Sequence, residues 1–479
     1  MRRRSAAPRW PGLIALAGLG LAAGLALMAA LSLPHLIAIT PAEGAADVST
    51  RARVRLVFDR PMEAGSVAAS LSLEPALPGD LTWDAAGTTL TFTPRQPWPA
   101  GGQVRFTLAA GRSRLGLPLL EGRAWSFTVG LERVTFLSGA PPNLAVISSA
   151  EGAQPRFLTA EPDGVADYAI RPDGGQIVYS ARRADGGADL RALALEGDEA
   201  GQITELVACP GAACLAPAFS PDGARLAYER QPAAPTADGG AGFGDPRLRV
   251  LELATGQDTA AGDPASQARQ PHWTPDGRLS YYDAGRQAVA VQDLAGRSAL
   301  TYIPSTSGES GTFSPDGQFF VFPEIVLLEN AITLTGTLAV TENIPVNVAG
   351  FYSHLLRATI ATNATQDLSG PGVVEDASPV YSVAGDWLAF GRKPLEGEAW
   401  LPGRQLWLMR ADGSEARPLT DAPEYNHSAF AWHPDGRRLV FMRFNAIDPN
   451  AAAEIWLINA DGTGARRLVT GGYLPEWLP

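Results

Sequence analysis

Few residues in this 479-residue chain have the type and spacing for catalysis. An α/β-hydrolase nucleophile needs G-x-S-x-G on a strand-to-helix turn. The nearest stretch, Gly308-Glu309-Ser310-Gly311, runs into Thr312 with no helical pattern after it. His427 and His433 are six apart and straddle an expected strand, so they do not converge on zinc, and His433 stands where a turn motif elsewhere has serine. His272, beside Trp273, falls on a strand that would line a central channel, where core packing and ligand contact are the two roles open to it. Glycosidase chemistry needs two carboxyl groups about 5–9.5 Å apart, and no pair in the sequence declares that distance. No glycine-rich phosphate loop opens a helix after a strand. The expectation is therefore a non-enzyme with no metal site and no cofactor. The alternative is a glycan hydrolase or lyase acting through channel carboxylates.

Cys209 and Cys214 frame C-P-G-A-A-C, in which Pro210 and Gly211 bend the chain between the thiols. A redox pair would call for C-x-x-C, so a structural disulfide in an oxidising compartment is expected. The net charge of −12 and pI near 5 exclude general nucleic-acid binding. Glycine and proline make up about 19% of the chain against an ordinary ~12%. That suits a turn-rich, strand-rich body.

The N-terminus carries Arg2, Arg3, Arg4 and Arg9, and no acidic residue precedes Glu43. From Leu13 to Leu33 nothing is charged, and a helix of that length spans roughly 30 Å of hydrocarbon. Residues 1–12 then read as a cytoplasmic tail and 13–39 as a transmembrane signal anchor. The rival is a cleaved signal peptide with Ala30-Leu31-Ser32 at its site. Either way the body is exported. The retained anchor makes a single-pass protein of the bacterial cytoplasmic membrane.

Residues 41–130 alternate polar and apolar side chains in short runs such as Arg53–Phe58, Thr88–Thr93, Gln103–Leu108 and Ala124–Val129. Period-two alternation between turns predicts a small β-sandwich. Pro41–Val48, Leu56–Met62 (L-V-F-D-R-P-M), Leu90–Pro94, Trp98 before Gly102 and the closing Trp125-Ser126-Phe127 resemble the SbsA-type bacterial Ig-like domain. That resemblance implies an envelope spacer or adhesion module.

From 131 to 479 a P-D-G turn recurs, with Asp173-Gly174, Asp222-Gly223, Asp276-Gly277, Asp316-Gly317 and Asp435-Gly436 at its centre and a degenerate copy at Ser382–Asp386. Proline fixes φ, aspartate tolerates the bridge region and glycine leaves without a clash. Apolar strands follow each copy, and Gln405–Gly413 (Q-L-W-L-M-R-A-D-G) returns 49 residues later as Glu454–Gly462. A period of 40–50 residues with four strands per repeat marks a β-propeller. These repeats resemble TolB-like, WD-repeat-like propellers. Tyr473–Trp477 is an opening strand with no successor, while Arg133–Leu137, Asn143–Ile147 and Pro155–Leu158 lack a predecessor. Joining them satisfies both orphan edges. The fold expected is all-β: a seven-bladed propeller, six being the alternative usual for TolB, after an Ig-like sandwich and a transmembrane helix.

Naming the strands of a blade a to d, the tight P-D-G and A-D-G turns join a to b and c to d. The longer b–c connections (231–246, 323–353, 393–403, 445–453) and d–a connections (208–216, 421–429) then crowd the opposite rim. That rim is where binding residues belong, facing away from sandwich and membrane. It leans acidic through Asp238, Glu329, Glu342, Glu375, Asp376, Asp421, Glu424 and Asp448, against few bases. The binding candidates are Glu375, Asp376, Asp421, Glu424, Asp448 and His272. Solvation alone explains such a face. Functionally it suits a cationic envelope protein, a cell-wall polymer or weakly held calcium.

Overall fold

The computed structural model describes residues 33–46, 48–195, 199–235, 240–263, 266–296, 298–307, 311–327 and 351–479. The chain divides into two compact units between Leu131 and Glu132.

In the first unit the alternating runs become seven strands: β1 (Leu36–Thr40), β2 (Val54–Phe58), β3 (Leu71–Glu74), β4 (Gly79–Trp83), β5 (Thr89–Pro94), β6 (Gln103–Leu108) and β7 (Arg123–Thr128). They form two sheets, β1-β2-β5-β4 and β3-β6-β7. One face of each buries Leu56, Leu90, Phe106 and Phe127 around Trp98 and Trp125. The Trp98 indole N–H donates to the Ala52 carbonyl at 2.9 Å, so its polar atom is satisfied inside the core.

Strand β1 corrects the expected membrane boundary. Ile39 pairs with Leu56 and Thr40 with Arg55, and Leu36 and Ile39 pack on the sandwich core. Residues 36–39, assigned to the span, are an edge strand of the sandwich, with Leu36 and Ile39 turned to its core and Ile37 and Ala38 outward. Of the rest of that span, residues 13–32 lie outside the described residues. Among the described residues no helix is long and apolar enough to cross a membrane. The single-pass placement in the cytoplasmic membrane is withdrawn on that finding.

The second unit is a propeller-like array. Among the described residues its strands form five sheets of four, nine, four, eight and four strands. The nine- and eight-stranded ones are each two runs joined by a parallel bridge, so that seven four-stranded antiparallel groups follow one another, with Ala241–Phe243 added at the edge of one. The first is Val165–Ile170, Gln176–Arg182, Ala188–Ala194 and Ile203–Val207, and the second Ala212–Phe219, Arg225–Pro235, Arg247–Glu252 and Gln257–Ala261. The third is Ala268–Trp273, Leu279–Asp283, Ala288–Gln292 and Thr301–Pro304, and the fourth Thr312–Phe313, Phe319–Leu327, Phe351–Thr359 and Thr365–Asp367. The fifth is Val374–Tyr381, Trp387–Pro394, Gln405–Arg410 and Arg417–Pro418, and the sixth Tyr425–Trp432, Arg438–Asn445, Glu454–Asn459 and Arg466–Thr470. The seventh is composite: Gly472–Leu478 pairs with Arg133–Ser138, which continues to Asn143–Ser148 and Arg156–Phe157. Its register sets Tyr473 opposite Leu137 and Trp477 opposite Val134, the join expected from the orphan strands.

Separate apolar clusters glue each group to the next, as when Val178 and Leu190 of the first meet Leu226 and Tyr228 of the second. The composite group packs on the sixth through Phe136, Val440 and Ile455, and on the first through Leu137, Tyr168 and Ile177. Two connections expected to be loops are strand instead. Residues 231–235 extend a b strand, of which Ala233–Pro235 pairs with Ala241–Phe243, and Pro323–Leu327 pairs with Phe351–Leu355.

Candidate functional site

The a strands form the inner wall, and five of the seven have the same local device. Where a b strand follows, the register slips by one residue at Leu215/Ala218, Arg269/His272, Ala377/Val380, Ser428/Ala431 and Tyr473/Glu476. A non-glycine residue sits at positive φ in each slip: Ala216, Gln270, Ser378, Ala429 and Leu474, at φ of 49 to 54°. Such bulges re-aim the residues after them and are common beside functional sites. Three residues beyond the slip, a tryptophan recurs. Trp273, Trp432 and Trp477 each donate the indole N–H to the a-strand carbonyl of the preceding group, Ala218, Val380 and Ala431, at 3.0 to 3.2 Å. The arginine opening a b strand then lies over the next tryptophan, Arg225 over Trp273 and Arg438 over Trp477.

Between slip and tryptophan, the a strands line an open cavity of about 570 Å³. Its lining includes His272, Phe430, Trp432, Pro434, Leu474, Glu476 and Trp477, so it opens at the end bearing the P-D-G turns. His272 and Glu476 keep access to water there. The His272 Nδ1 lies 3.0 Å from the Gln270 carbonyl. The Glu476 side chain is open to the channel, and desolvation by the channel walls pushes its carboxyl up to about 7. Among the described residues that carboxyl has neither an ion pair nor a hydrogen bond. His272, chosen from the sequence, therefore belongs to the channel and not to the rim. Glu476 was read only as part of a strand. The signal that could have flagged it is an acid at the position His272 occupies in another repeat.

The remaining candidates gather on one stretch of rim. Glu375 is three-quarters buried and faces Arg404 at 3.2 Å and Lys393 at 3.9 Å. Arg404 in turn reaches the Asn426 side chain, and the Ala446 N–H donates to the Glu424 carbonyl at 2.8 Å, clasping the loops that carry Asp421, Glu424 and Asp448. Those three carboxylates are exposed. Asp376 corrects the expectation of a rim carboxylate. It is fully buried, accepts a two-point fork from Arg392 at 2.6 and 2.7 Å and a bond from the Ser369 hydroxyl at 2.6 Å, and has no oxygen to offer a ligand. The Ala377 slip turns it inward. Asp238, Glu329 and Glu342, like Gly308–Ser310, lie outside the described residues.

His427 is buried on Phe441 with its ring 2.8 Å from the Arg404 carbonyl, and burial lowers it to about 4. His433 packs edge-on against Trp477. Among the described residues no group of three or more histidine, cysteine or carboxylate side chains is placed to hold a metal. Cys209 and Cys214 form a buried disulfide whose loop is fixed by the Cys209 N–H donating to Asp189 at 2.7 Å.

Residues 32–129 match the family model of the bacterial Ig-like domain. Similar solved structures include TolB from Agrobacterium tumefaciens, 19% identical over 57% of this chain and 86% of that one, with a TM-score of 0.38. TolB from Acinetobacter baumannii is 14% identical over 86% and 84%, with a TM-score of 0.41. The chain carries a bacterial Ig-like domain ahead of its propeller-like array. An oligogalacturonate lyase from Vibrio parahaemolyticus is also similar, 14% identical over 71% and 73%, with a TM-score of 0.32. No curated protein matches the chain. Likeness at these identities concerns fold alone.

The lyase corrects one expectation. A TolB-like propeller was read as a non-enzyme because no nucleophile elbow or zinc motif appears. Structures of this kind include an enzyme as well as TolB, so a missing motif assigns no class.

Proposed function

We propose that the TolB-like body is a closed, seven-bladed propeller acting as a recognition module for a cationic protein surface. The observation that carries this is the clasped rim, where Asp421, Glu424 and Asp448 stand exposed on two loops fixed to each other by the Ala446–Glu424 bond. Carboxylates held on a rigid scaffold favour encounter with positive charge and suppress wrong partners. A cell-envelope polymer and a calcium ion are the other occupants that such a rim suits.

The test is crosslinking capture from cells carrying the full chain, comparing the parent with D421K/E424K/D448K. Capture of a basic protein should fall at least tenfold in the variant and fall with added salt in the parent. Retention of every captured protein by the variant refutes the reading. Calorimetry with calcium chloride and with isolated wall polymer separates the other two occupants.

Glycan cleavage by paired carboxylates has one favourable observation, the Glu476 carboxyl in the channel. The cavity lining supplies that carboxyl without a second, so the two-carboxyl mechanism lacks half its apparatus there.

A further inference from the structure

A buried imidazole satisfies its hydrogen bonds in one of two ways. Neutral, it offers one N–H and one lone pair; charged, it offers two N–H groups and accepts nothing. His354, 8% exposed on the c strand Phe351–Thr359 of the fourth group, faces an acceptor at both nitrogens. Its Nδ1 lies 2.7 Å from an Asp367 carboxylate oxygen and its Nε2 lies 2.8 Å from the Gly372 carbonyl oxygen. The second Asp367 oxygen accepts the Ser369 N–H at 2.8 Å, so both oxygens of that carboxyl act as acceptors. A neutral ring would set a bare nitrogen against one of the two oxygens, a buried pair with no proton between them.

The segment from Asp367 to Asp376 wraps around three consecutive residues of that strand. The Ser353 hydroxyl donates to the Asp376 carbonyl at 2.9 Å, and the Leu355 N–H donates to the Ser369 hydroxyl at 2.7 Å. Between these two fixed bonds sits His354, the one titratable residue of the three. What it holds is Gly370-Pro371-Gly372, an exposed stretch with open space around Gly370. Three residues further on, Glu375 faces Arg404 and Lys393 on the rim.

We propose that His354 is a pH-operated latch on the connection between the fourth and fifth groups. With two protons the ring ties Asp367 to Gly372. With one it releases one of them, and the glycine-flanked stretch before Glu375 loosens. The latch works whatever the rim binds.

The charged and titratable groups around the ring come from four strands. Asp367 is on the d strand and Tyr352, its ring 4.8 Å away, on the c strand itself. Glu324 stands opposite on the b strand, its carboxylate held by the Thr306 N–H at 3.0 Å. From the fifth group comes Asp376, which senses the charge of the ring and is forked by Arg392. Half-exposed Asp367 gives the proton its way to water.

Nuclear magnetic resonance on the full chain with nitrogen-15 histidine tests this, the His354 signals being assigned by their change in D367A. At pH 6 both ring nitrogens should show the pattern of a doubly protonated imidazole, and that pattern should be lost by pH 9. Over the same interval, after correction for the intrinsic base-catalysed rise, amide exchange at 369–374 should quicken at least tenfold while Glu454–Asn459 stays unchanged. H354Q should exchange at the fast rate already at pH 6, and D367A should lose the pH response. The ring signals are read on the unmodified protein, so the proposal stays testable if H354Q misfolds. A neutral ring at pH 6, equal protection at pH 6 and pH 9, or a pH response that persists in H354Q overturns it.

Discussion

At the P-D-G turns the aspartate acts as a local anchor. Ser220 and Ser314 each donate a hydroxyl to the following aspartate at 2.5 Å, and the backbone N–H two residues past that aspartate donates to the same oxygen at 3.0 Å. Those donors, the serine hydroxyl foremost, hold the Asp222 and Asp316 carboxyls below the usual range. A folded value below the unfolded one means stability that is present above about pH 4 and lost as pH falls through the folded values. The propeller should melt at progressively lower temperature from pH 5 to pH 2.5, and D222N/D316N should flatten that slope in scanning calorimetry. Glycines in the same turns separate two costs. Gly436 lies at φ 69° with open space where a Cβ would go, whereas at Gly385, φ 78°, a Cβ would meet the Pro315 ring of the neighbouring turn at 2.9 Å. Gly436→Ala should cost about 1 kcal/mol, the left-handed penalty alone, and Gly385→Ala about 2–4 kcal/mol once the clash is added. Equal losses in chemical denaturation would refute the packing of adjacent turns.

At the scale of elements, the a strand carries most of what sequence did not reveal. Its P-D-G exit is legible because proline and glycine declare turn chemistry. Its bulge is silent, because Ala216, Gln270, Ser378, Ala429 and Leu474 share no residue type and adopt positive φ under tertiary constraint. The slip turns Asp376 into the core and leaves Glu476 in the channel, the two places where residue-by-residue reading erred. The Cys209–Cys214 bridge was legible for the opposite reason: spacing and bend residues are both local. It joins residues on either side of a tight turn and is buried between the first two groups. By the loop-closure estimate it contributes about 2 kcal/mol. C209S/C214S should unfold at correspondingly lower urea with an unchanged slope, and reductant should lower the parent to match.

For the whole molecule, closure is the feature on which stability turns. Residues 472–478 supply one strand, yet that strand carries parts of two interfaces. Trp477 packs against the sixth group and Leu478 against the first. The Tyr168 hydroxyl, from the first group, donates to the Leu474 carbonyl at 2.6 Å, and the Ser138 hydroxyl to Gly471 at 2.8 Å. Arg438 of the sixth group adds a fork to Glu132 at 2.7 Å on both arms. Burial of Trp477 and Leu478 contributes roughly 3–6 kcal/mol, a large part of the 5–15 kcal/mol that holds an ordinary domain folded. Loss of the Arg438 fork alone should cost about 1–3 kcal/mol. Deleting 472–479 should therefore abolish the cooperative near-ultraviolet transition of the propeller and open it to protease, while R438A only lowers the midpoint. The bared edge of Arg133–Ser138 should also promote self-association, because unpaired strand edges seek a partner. A deletion that melts within 2 °C of the parent and stays monomeric in sedimentation would show that the ring closes by other means.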